Sequence, residues 1–135
     1  MKPFIIIIIL FWSLHISAQK TYQRDYFDDG TLSSEGWSDN NQKINYWKFY
    51  HTNGTLKSEG HYKNNKRTKY WRTYRQDGSK ESEGHYINGS KNKWWIFYNS
   101  EEKINHKCQL KNNIKNGYCL MYNPEASGEK LISAI

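Results

Sequence analysis

Two kinds of chemically active side chain recur at one interval along the 135-residue chain. His61 and His85 are 24 residues apart, and the same interval separates Glu35, Glu59 and Glu83. Histidines can hold a metal ion, and a pair of carboxylates can hydrolyse a glycosidic bond. No carboxylate or cysteine completes a ligand set around these histidines at the spacings that metals use, so we expect a surface ladder of histidines and no metal site.

The three glutamates have a simpler explanation than catalysis. A repeated sequence places the same residue at the same position of every copy, so a column of glutamates follows from repetition alone. The chain has no glycine-rich phosphate loop before a helix and no recognisable Ser, His and Asp pattern. The sequence therefore predicts a protein that is not an enzyme and uses no cofactor. A glycan-cleaving enzyme that depends on Glu59 and Glu83 is the alternative.

The interval of 24 residues extends through the chain from residue 26 to residue 122, which gives four full units. This period is too short for the paired-helix repeats, and each unit alternates Tyr, Trp and Thr with Asn and Gly clusters, which is typical of β-hairpins. Residues 19–25 would lead into the repeats, and residues 123–135 would form a degraded C-terminal cap. The repeat-defining residues are Gly36, Gly60, Gly84, Trp47, Trp71, Trp95, Tyr50, Tyr74 and Tyr98.

The second unit illustrates the predicted hairpin. One strand covers Leu56 to Lys63, a four-residue loop covers 64–67, and the second strand covers Thr68 to Tyr74. The segments 51–54 and 75–78 contain Asn-Gly and Asp-Gly, which supply the positive φ angles that tight turns need. We therefore predict an all-β fold in which tandem hairpins stack into one elongated, twisted antiparallel sheet of eight or more strands, about 40 Å long at the usual strand spacing.

The stretch "YWKFYHTNGTLKSEGHYKNNK" resembles the units of the MORN-repeat variant family. The resemblance extends over residues 26–122 and implies stacked hairpins in one elongated sheet. It also implies an exported bacterial repeat protein, and some members of the family are labelled as antitoxins of toxin–antitoxin systems. Thr68 and Asn92 stand where the family has a glycine after the turn, and Gly117 is expected one position later than that glycine.

The charges of the strands fix a register for the hairpin. If the loop is 64–67, Gly60 faces Trp71 and Glu59 faces Arg72, which is an opposite-charge cross-strand pair. The glycine would leave room for the indole ring to lie across it. The preceding unit repeats both pairs, as Gly36 with Trp47 and Glu35 with Lys48.

In the fourth unit the glycine position is Cys108 and the tryptophan position is Cys119. These two residues would face each other, so in an exported protein they predict a cross-strand disulfide. Two free thiols in a weakened terminal unit are the alternative.

The same register divides the side chains between two faces. The face that carries Trp71, with Leu56, Ser58, Gly60, Tyr62 and Thr73, is expected to be the better buried. The other face is expected to be basic, aromatic and solvated, and one of its aromatic columns contains Tyr46, Trp94 and Tyr118. The candidate binding residues are Lys66, Arg67, Lys69, Tyr70, Arg72, Tyr74, Arg75 and Trp94.

The first eighteen residues form a separate segment. Lys2 precedes an apolar run from Phe4 to Leu14, and small residues follow up to Ala18, which is typical of a secretory signal peptide. The run is shorter than the roughly 20 residues of a transmembrane helix, although an uncleaved anchor is the alternative. We therefore expect an exported protein, in the periplasm, at the cell surface or outside the cell, after cleavage near Ala18.

The expected partner follows from charge and compartment. The chain carries 20 Lys plus Arg against 13 Asp plus Glu. A protein-interaction or envelope-surface binding module is the leading hypothesis, with a protein as the expected partner and anionic lipid or envelope polysaccharide as alternatives. Basic and aromatic residues together also occur in single-strand nucleic-acid binders, but the signal peptide argues against that partner. The family resemblance adds an antitoxin that neutralises a partner toxin as the alternative function.

Overall fold

A computed structural model describes residues 19–123 in full and residues 130–134 by their backbone. The predicted signal peptide lies outside the described residues, as do residues 124–129 and 135 of the predicted cap. The described chain forms ten β-strands and no helix, in one open antiparallel sheet whose strand order is the sequence order. The strands are β1 Thr21–Tyr26, β2 Leu32–Asp39, β3 Gln42–Tyr50, β4 Leu56–Lys63, β5 Lys66–Tyr74, β6 Lys80–Ile87, β7 Ser90–Tyr98, β8 Ile104–Lys111, β9 Ile114–Asn123 and β10 Lys130–Ala134.

This architecture confirms the predicted all-β sheet of consecutive hairpins. Most of the segment expected to lead into the repeats belongs to β1, which pairs with β2. Part of the segment expected to be a degraded cap forms β10, which pairs with β9. The described residues form no helix that is long and apolar enough to cross a membrane.

Two kinds of turn join the strands. Between units, the amide of His51 donates to the carbonyl of Thr55 at 2.8 Å, and Gly54 adopts a φ of 82°. The amide of Arg75 donates to the carbonyl of Ser79 in the same way, at 2.9 Å. The predicted reversals at 51–54 and 75–78 are therefore present.

Within units, the predicted four-residue loop is wrong. Lys63 pairs with Lys66, so the loop is only Asn64-Asn65, whose φ angles are 50° and 62°. The missing two residues appear further along β5, as a bulge between Thr68, which pairs with His61, and Trp71, which pairs with Gly60. Because the bulge adds two residues, the side-chain alternation is preserved and the predicted pairing of Gly60 with Trp71 is confirmed.

The bulge also contains the glycine of the fourth unit, Gly117. Lys69 in the bulge has a φ of 60°, and the equivalent Asn45, Lys93 and Gly117 have φ angles of 56°, 63° and 115°. These positions are two residues before each Trp or its replacement, Cys119. Gly117 therefore shares the bulge position of Lys69 and Lys93, one position after the residues equivalent to Thr68, and all four bulges have a positive φ at this position.

The three repeat tryptophans form the core. Trp47, Trp71 and Trp95 are fully buried, which confirms that their face is the better buried one. A Cβ atom on Gly60 would lie 2.4 Å from the Trp71 ring, and one on Gly84 would lie 2.5 Å from the Trp95 ring. The indole therefore occupies the gap that the cross-strand glycine leaves open, as the sequence predicted.

The bulge and the tryptophan depend on each other. The indole N–H of Trp71 donates to the carbonyls of His61 and Thr68, at 3.1 and 3.2 Å. These two residues are the last ladder pair before the bulge. A buried N–H without an acceptor would lower the stability of the fold. The bulge provides carbonyl acceptors for the indole N–H, so the large ring can be buried flat against the sheet.

Basic side chains cover the other side of these rings. Lys43, Arg67 and Lys91 lie over Trp47, Trp71 and Trp95, with the charged atom 4.3, 4.4 and 4.2 Å from the respective ring centroids. Each of these contacts is a cation–π interaction. The single-layer sheet thus buries its tryptophans without a second layer.

Candidate binding surface

A row of alternating charges crosses the face opposite the tryptophans. Arg72 stands between two carboxylates, with N–O distances of 3.4 Å to Glu83 and 3.9 Å to Glu59. Adjacent strands place oppositely charged residues side by side along the whole row. We refer to six residues as the charge row: Arg24, Glu35, Lys48, Glu59, Arg72 and Glu83.

Phenol groups complete the partners of each carboxylate in the charge row. The hydroxyl of Tyr50 donates to Glu35 at 2.7 Å, and that of Tyr74 donates to Glu59 at 3.0 Å. Tyr98 donates to Glu83 in the same way. The repeat tyrosines therefore satisfy the glutamates, and the predicted pairs of Glu59 with Arg72 and of Glu35 with Lys48 are present in the register.

The partners shift the acidity of these groups. The hydrogen bond from Tyr50, together with Arg24, holds the pKa of Glu35 below its ordinary value although burial opposes this. Burial and the hydrogen bond to Glu59 raise the pKa of Tyr74 to about 12, and the same two causes raise the pKa of Tyr46 to about 12. At neutral pH Glu35 is therefore ionised, and the phenols of Tyr46 and Tyr74 are protonated.

A line of rings crosses the strands next to the charge row. Tyr22 meets Trp37 edge-on with ring centroids 5.4 Å apart, and Tyr46 meets His61 in the same geometry at 5.0 Å. The half-exposed side chains include Trp37, with 41% of its surface accessible. We refer to the eight residues that carry these rings as the aromatic stripe: Tyr22, Trp37, Tyr46, His61, Tyr70, His85, Trp94 and Tyr118.

The fourth unit departs from this pattern. Lys107 occupies the position of the glutamates and pairs with Ile96 and Leu120 instead of charged residues. Its ammonium lies 5.1 Å from the ring of Tyr122, the equivalent of the tyrosines that donate to glutamate elsewhere. Trp94 and Tyr118 beside it are 38% and 65% exposed. The charge row therefore ends at Glu83, which pairs with Ile96, and Lys107 beyond it has no carboxylate across the strands.

The predicted disulfide is present in the same unit. Cys108 and Cys119 are bonded and directly paired across β8 and β9, with Cα atoms 4.1 Å apart. Both are almost completely buried. The bond replaces the glycine–tryptophan contact of the other units at the same place in the sheet.

The structure separates the candidate binding residues. Tyr70 and Trp94 lie in the aromatic stripe, and Tyr74 donates to Glu59 in the charge row. Lys66 and Lys69 are exposed near the hairpin turn, so these two cations are available to a partner.

The three arginines of the predicted set are not a single basic group. Arg67 lies on the tryptophan face, where it covers Trp71 and donates to the hydroxyl of Tyr86 at 3.2 Å. Arg72 is balanced by the two carboxylates of the charge row. Arg67 belongs to β5 instead of a loop, and it is five residues from Arg72, so the alternation of the strand places the two side chains on different faces.

Arg75 lies at the opposite end of β5 and binds backbone. Its guanidinium donates to the carbonyls of Lys80 at 2.8 Å, Asn99 at 3.1 Å and Tyr98 at 2.5 Å. These contacts tie the turn after the second unit to the turn after the third. Arg75 therefore has a structural role, and its part in a binding face stays a prediction.

Sequence reasoning missed two members of the stripe, Tyr22 and Trp37. Tyr22 lies exactly 24 residues before Tyr46, so the period could have identified it if the first strand had been counted as part of the repeats. Trp37 precedes His61 by the same interval, but the two side chains differ in chemistry, which concealed the column.

Among the residues that the structure describes, no three His, Cys, Asp or Glu side chains form a group that could hold a metal ion. Comparisons with protein-family models, with curated proteins and with solved structures found no match. The function proposed below therefore rests on the chemistry of the surface.

Proposed function

We propose that the chain is an exported, non-catalytic binding module of the MORN-repeat variant type, which contacts a partner at the cell envelope through its aromatic stripe. The observation that carries the proposal is the stripe itself, a line of partly exposed rings across an open sheet that only Gln109 of β8 interrupts among the described strands β1 to β9. Exposed rings in a line are a large contact area that the fold leaves uncovered.

The charge row supports a binding role for the stripe rather than a chemical one for the glutamates. Each glutamate of the row has a tyrosine donor and a basic neighbour, so its charge is already used within the sheet. The bonded Cys108 and Cys119 are compatible with an oxidising compartment, as export requires.

The export part of the proposal is tested by thiol labelling of intact cells that make the protein. If it is exported, Cys108 and Cys119 remain unlabelled until a reductant is added, and the protein fractionates with the envelope or the medium. Recovery in the cytoplasm with both thiols labelled would contradict the proposal.

The binding part is tested by sedimentation of the purified protein with envelope fragments. Trp94→Ala combined with Tyr118→Ala removes two exposed rings of the stripe, and we expect most of the bound fraction to be lost. Tyr26→Ala is the matched control, because Tyr26 is 59% exposed but lies outside the stripe. Equal sedimentation of the stripe variant and the control would refute the stripe as the contact surface.

A further inference from the structure

The two long edges of the sheet, where the strands turn, differ in charge. The hairpin-turn edge, which we call the basic rim, consists of residues 39–45, 63–69, 87–93 and 111–117 and contains nine Lys and Arg with one carboxylate, Asp39. The opposite edge, residues 27–33, 51–57, 75–81 and 99–105, contains six carboxylates and four Lys and Arg. The positive charge is therefore concentrated on one edge.

Six cations of the basic rim are exposed. Three other cations of the rim, Lys43, Arg67 and Lys91, cover the core tryptophans. None of these six exposed cations forms an ion pair with a carboxylate of the described residues, because the rim contains only one carboxylate, Asp39. The exposed cations are Lys63, Lys66, Lys69, Lys93, Lys111 and Lys115.

The basic rim runs directly beside the aromatic stripe. Lys63 follows His61 of the stripe by two residues on β4, which keeps it on the same face at a distance of about 7 Å along the strand. Lys111 has the same relation to Gln109, which pairs with Trp94. A line of rings and a line of uncompensated cations therefore run in parallel across the sheet.

Both lines repeat with the hairpins. Each hairpin advances the stripe and the rim by two strands, or about 10 Å. This advance is close to the length of a disaccharide in an extended β-linked polysaccharide. Sugar rings can place their apolar C–H faces on aromatic side chains while their acidic groups point to one side.

We propose that the aromatic stripe and the basic rim together bind an extended acidic polysaccharide, whose sugars lie on the stripe and whose carboxylates face the rim. This proposal rests on the function proposed above and names the class of the partner. Lys107 adds a cation on the other side of the stripe, at the position that the glutamates occupy in the charge row, and it has no carboxylate neighbour across the strands.

The shape of the surface favours a linear polymer. A protein interface has an apolar core surrounded by a polar rim, whereas the stripe is one ring wide and is bordered by the paired charges of the charge row. A membrane presents a plane of charge, whereas the rim cations lie along one edge. Single-stranded nucleic acid is also linear, but the disulfide fits an exported protein better than one that meets nucleic acid.

Binding of the purified disulfide-bonded protein to hyaluronate, an unbranched β-linked polymer that carries carboxylates, is the direct test. Hydroxyethyl cellulose provides a neutral β-linked backbone, and oligo-dT and phosphatidylglycerol vesicles provide the two other anionic partners. We expect hyaluronate to quench the fluorescence of the exposed Trp94 and to bind more tightly than the other three probes, with an affinity that falls as salt is added.

Charge-matched variants distinguish an effect of the basic rim on binding from an effect of the net charge of the protein. Lys63→Gln with Lys66→Gln removes two rim charges, and we expect the hyaluronate Kd to rise about tenfold. Lys57→Gln with Lys103→Gln removes the same charge from the opposite edge and should leave the Kd within about twofold. All four lysines are exposed, and thermal unfolding of each variant verifies that the fold is intact.

Three outcomes would overturn the polysaccharide proposal. They are equal losses in the two lysine pairs, equal or tighter binding of oligo-dT or vesicles, and no binding of hyaluronate. If the stripe variant still loses envelope sedimentation while hyaluronate does not bind, the binding module survives and only its partner class is wrong. If hyaluronate binds but envelope sedimentation does not depend on the stripe, the module proposal fails independently.

Discussion

The first three units and the fourth unit solve the same structural problem in two ways. In the first three, a tryptophan fills the gap over a cross-strand glycine and is covered by a cation. In the fourth, Cys108 and Cys119 fill the same two positions with a covalent bond. A ring needs neighbours on both sides to be buried, whereas a disulfide does not, which suits a unit near the end of the repeats.

The two regions also differ on the opposite face. The first three units balance each glutamate of the charge row with a tyrosine and a basic residue, whereas the fourth carries Lys107 between Ile96 and Leu120. The balanced part contributes stability to the sheet, and the unbalanced part leaves a charge and two exposed rings for a partner. The fourth unit is therefore where the proposed binding surface departs from the pattern that stabilises the first three units.

The largest expected effect comes from the core tryptophans. Trp95→Ala removes a fully buried ring and should lower the free energy of unfolding by about 3 to 5 kcal/mol. Trp94→Ala, at the adjacent position but 38% exposed, should cost less than about 1 kcal/mol. Chemical denaturation of both variants measures the difference, and similar losses would show that the burial difference between the two faces is wrong.

Loss of the disulfide should have the next largest effect. Cys108→Ala with Cys119→Ala opens a short loop and should lower the free energy of unfolding by about 3 kcal/mol. Hydrogen exchange should show faster amide exchange in β8 and β9 than in β3 to β6, because the tryptophan units do not depend on the bond. Uniform acceleration across the sheet would contradict this local role.

The tyrosine–glutamate contacts of the first three units should give a smaller difference in the free energy of unfolding, compared with the equivalent tyrosine of the fourth unit. Tyr74→Phe removes the donor to Glu59 and should cost about 1.5 kcal/mol, the usual value for a hydrogen bond to a charged group. Tyr122→Phe keeps the ring next to Lys107 and should cost less than about 0.5 kcal/mol. Equal costs in denaturant titrations would mean that the charge row does not stabilise the sheet.

The bulge provides a stabilising substitution. Lys69 adopts a φ of 60°, which an L-residue tolerates poorly, so Lys69→Gly should raise the free energy of unfolding by about 0.5 to 1 kcal/mol. Gly117→Ala in the fourth unit should do the reverse, since its φ is 115° and a Cβ atom would lie 2.1 Å from Gln109. Thermal unfolding of the pair measures both signs, and a destabilised Lys69→Gly would show that this backbone strain is absent.

The charge row should also appear in the alkaline titration. The pKa of Tyr74 is raised from 10.0 to about 12, so the stability from this group is fully present below pH 10.0 and is lost as the pH rises through about 12. Near-ultraviolet absorbance should therefore show a late-ionising class of tyrosines, which loses one member in Tyr74→Phe. Ionisation of all tyrosines in one step near pH 10 would contradict the buried contacts.

Much of the fold was predictable because repetition multiplies a weak signal. A single Gly60–Trp71 pair would be ambiguous, but three such pairs at one interval predict the strands and the pairing, and they make the cysteine pair at the fourth interval recognisable. The bulge was not predictable from the same pattern, because Asn45, Lys69, Lys93 and Gly117 share a backbone conformation but not a residue type. The candidate site was only partly predictable because the predicted four-residue loop left Lys66 and Arg67 out of the strand, whereas both belong to β5, where alternation places Arg67 and Arg72 on different faces.

The sequence by itself determined the repeat, the antiparallel hairpins, the glycine–tryptophan contact and the cross-strand cysteine pair, because each depends on local residue types at a fixed interval. Only the tertiary structure decided that Arg67 covers Trp71, that Arg75 binds the backbone of the next turn, and that the exposed cations gather along one edge. These outcomes depend on how strands from different units meet. Side chains that are distant in sequence compete for the same neighbours, and the packing of the sheet settles which of them remain free.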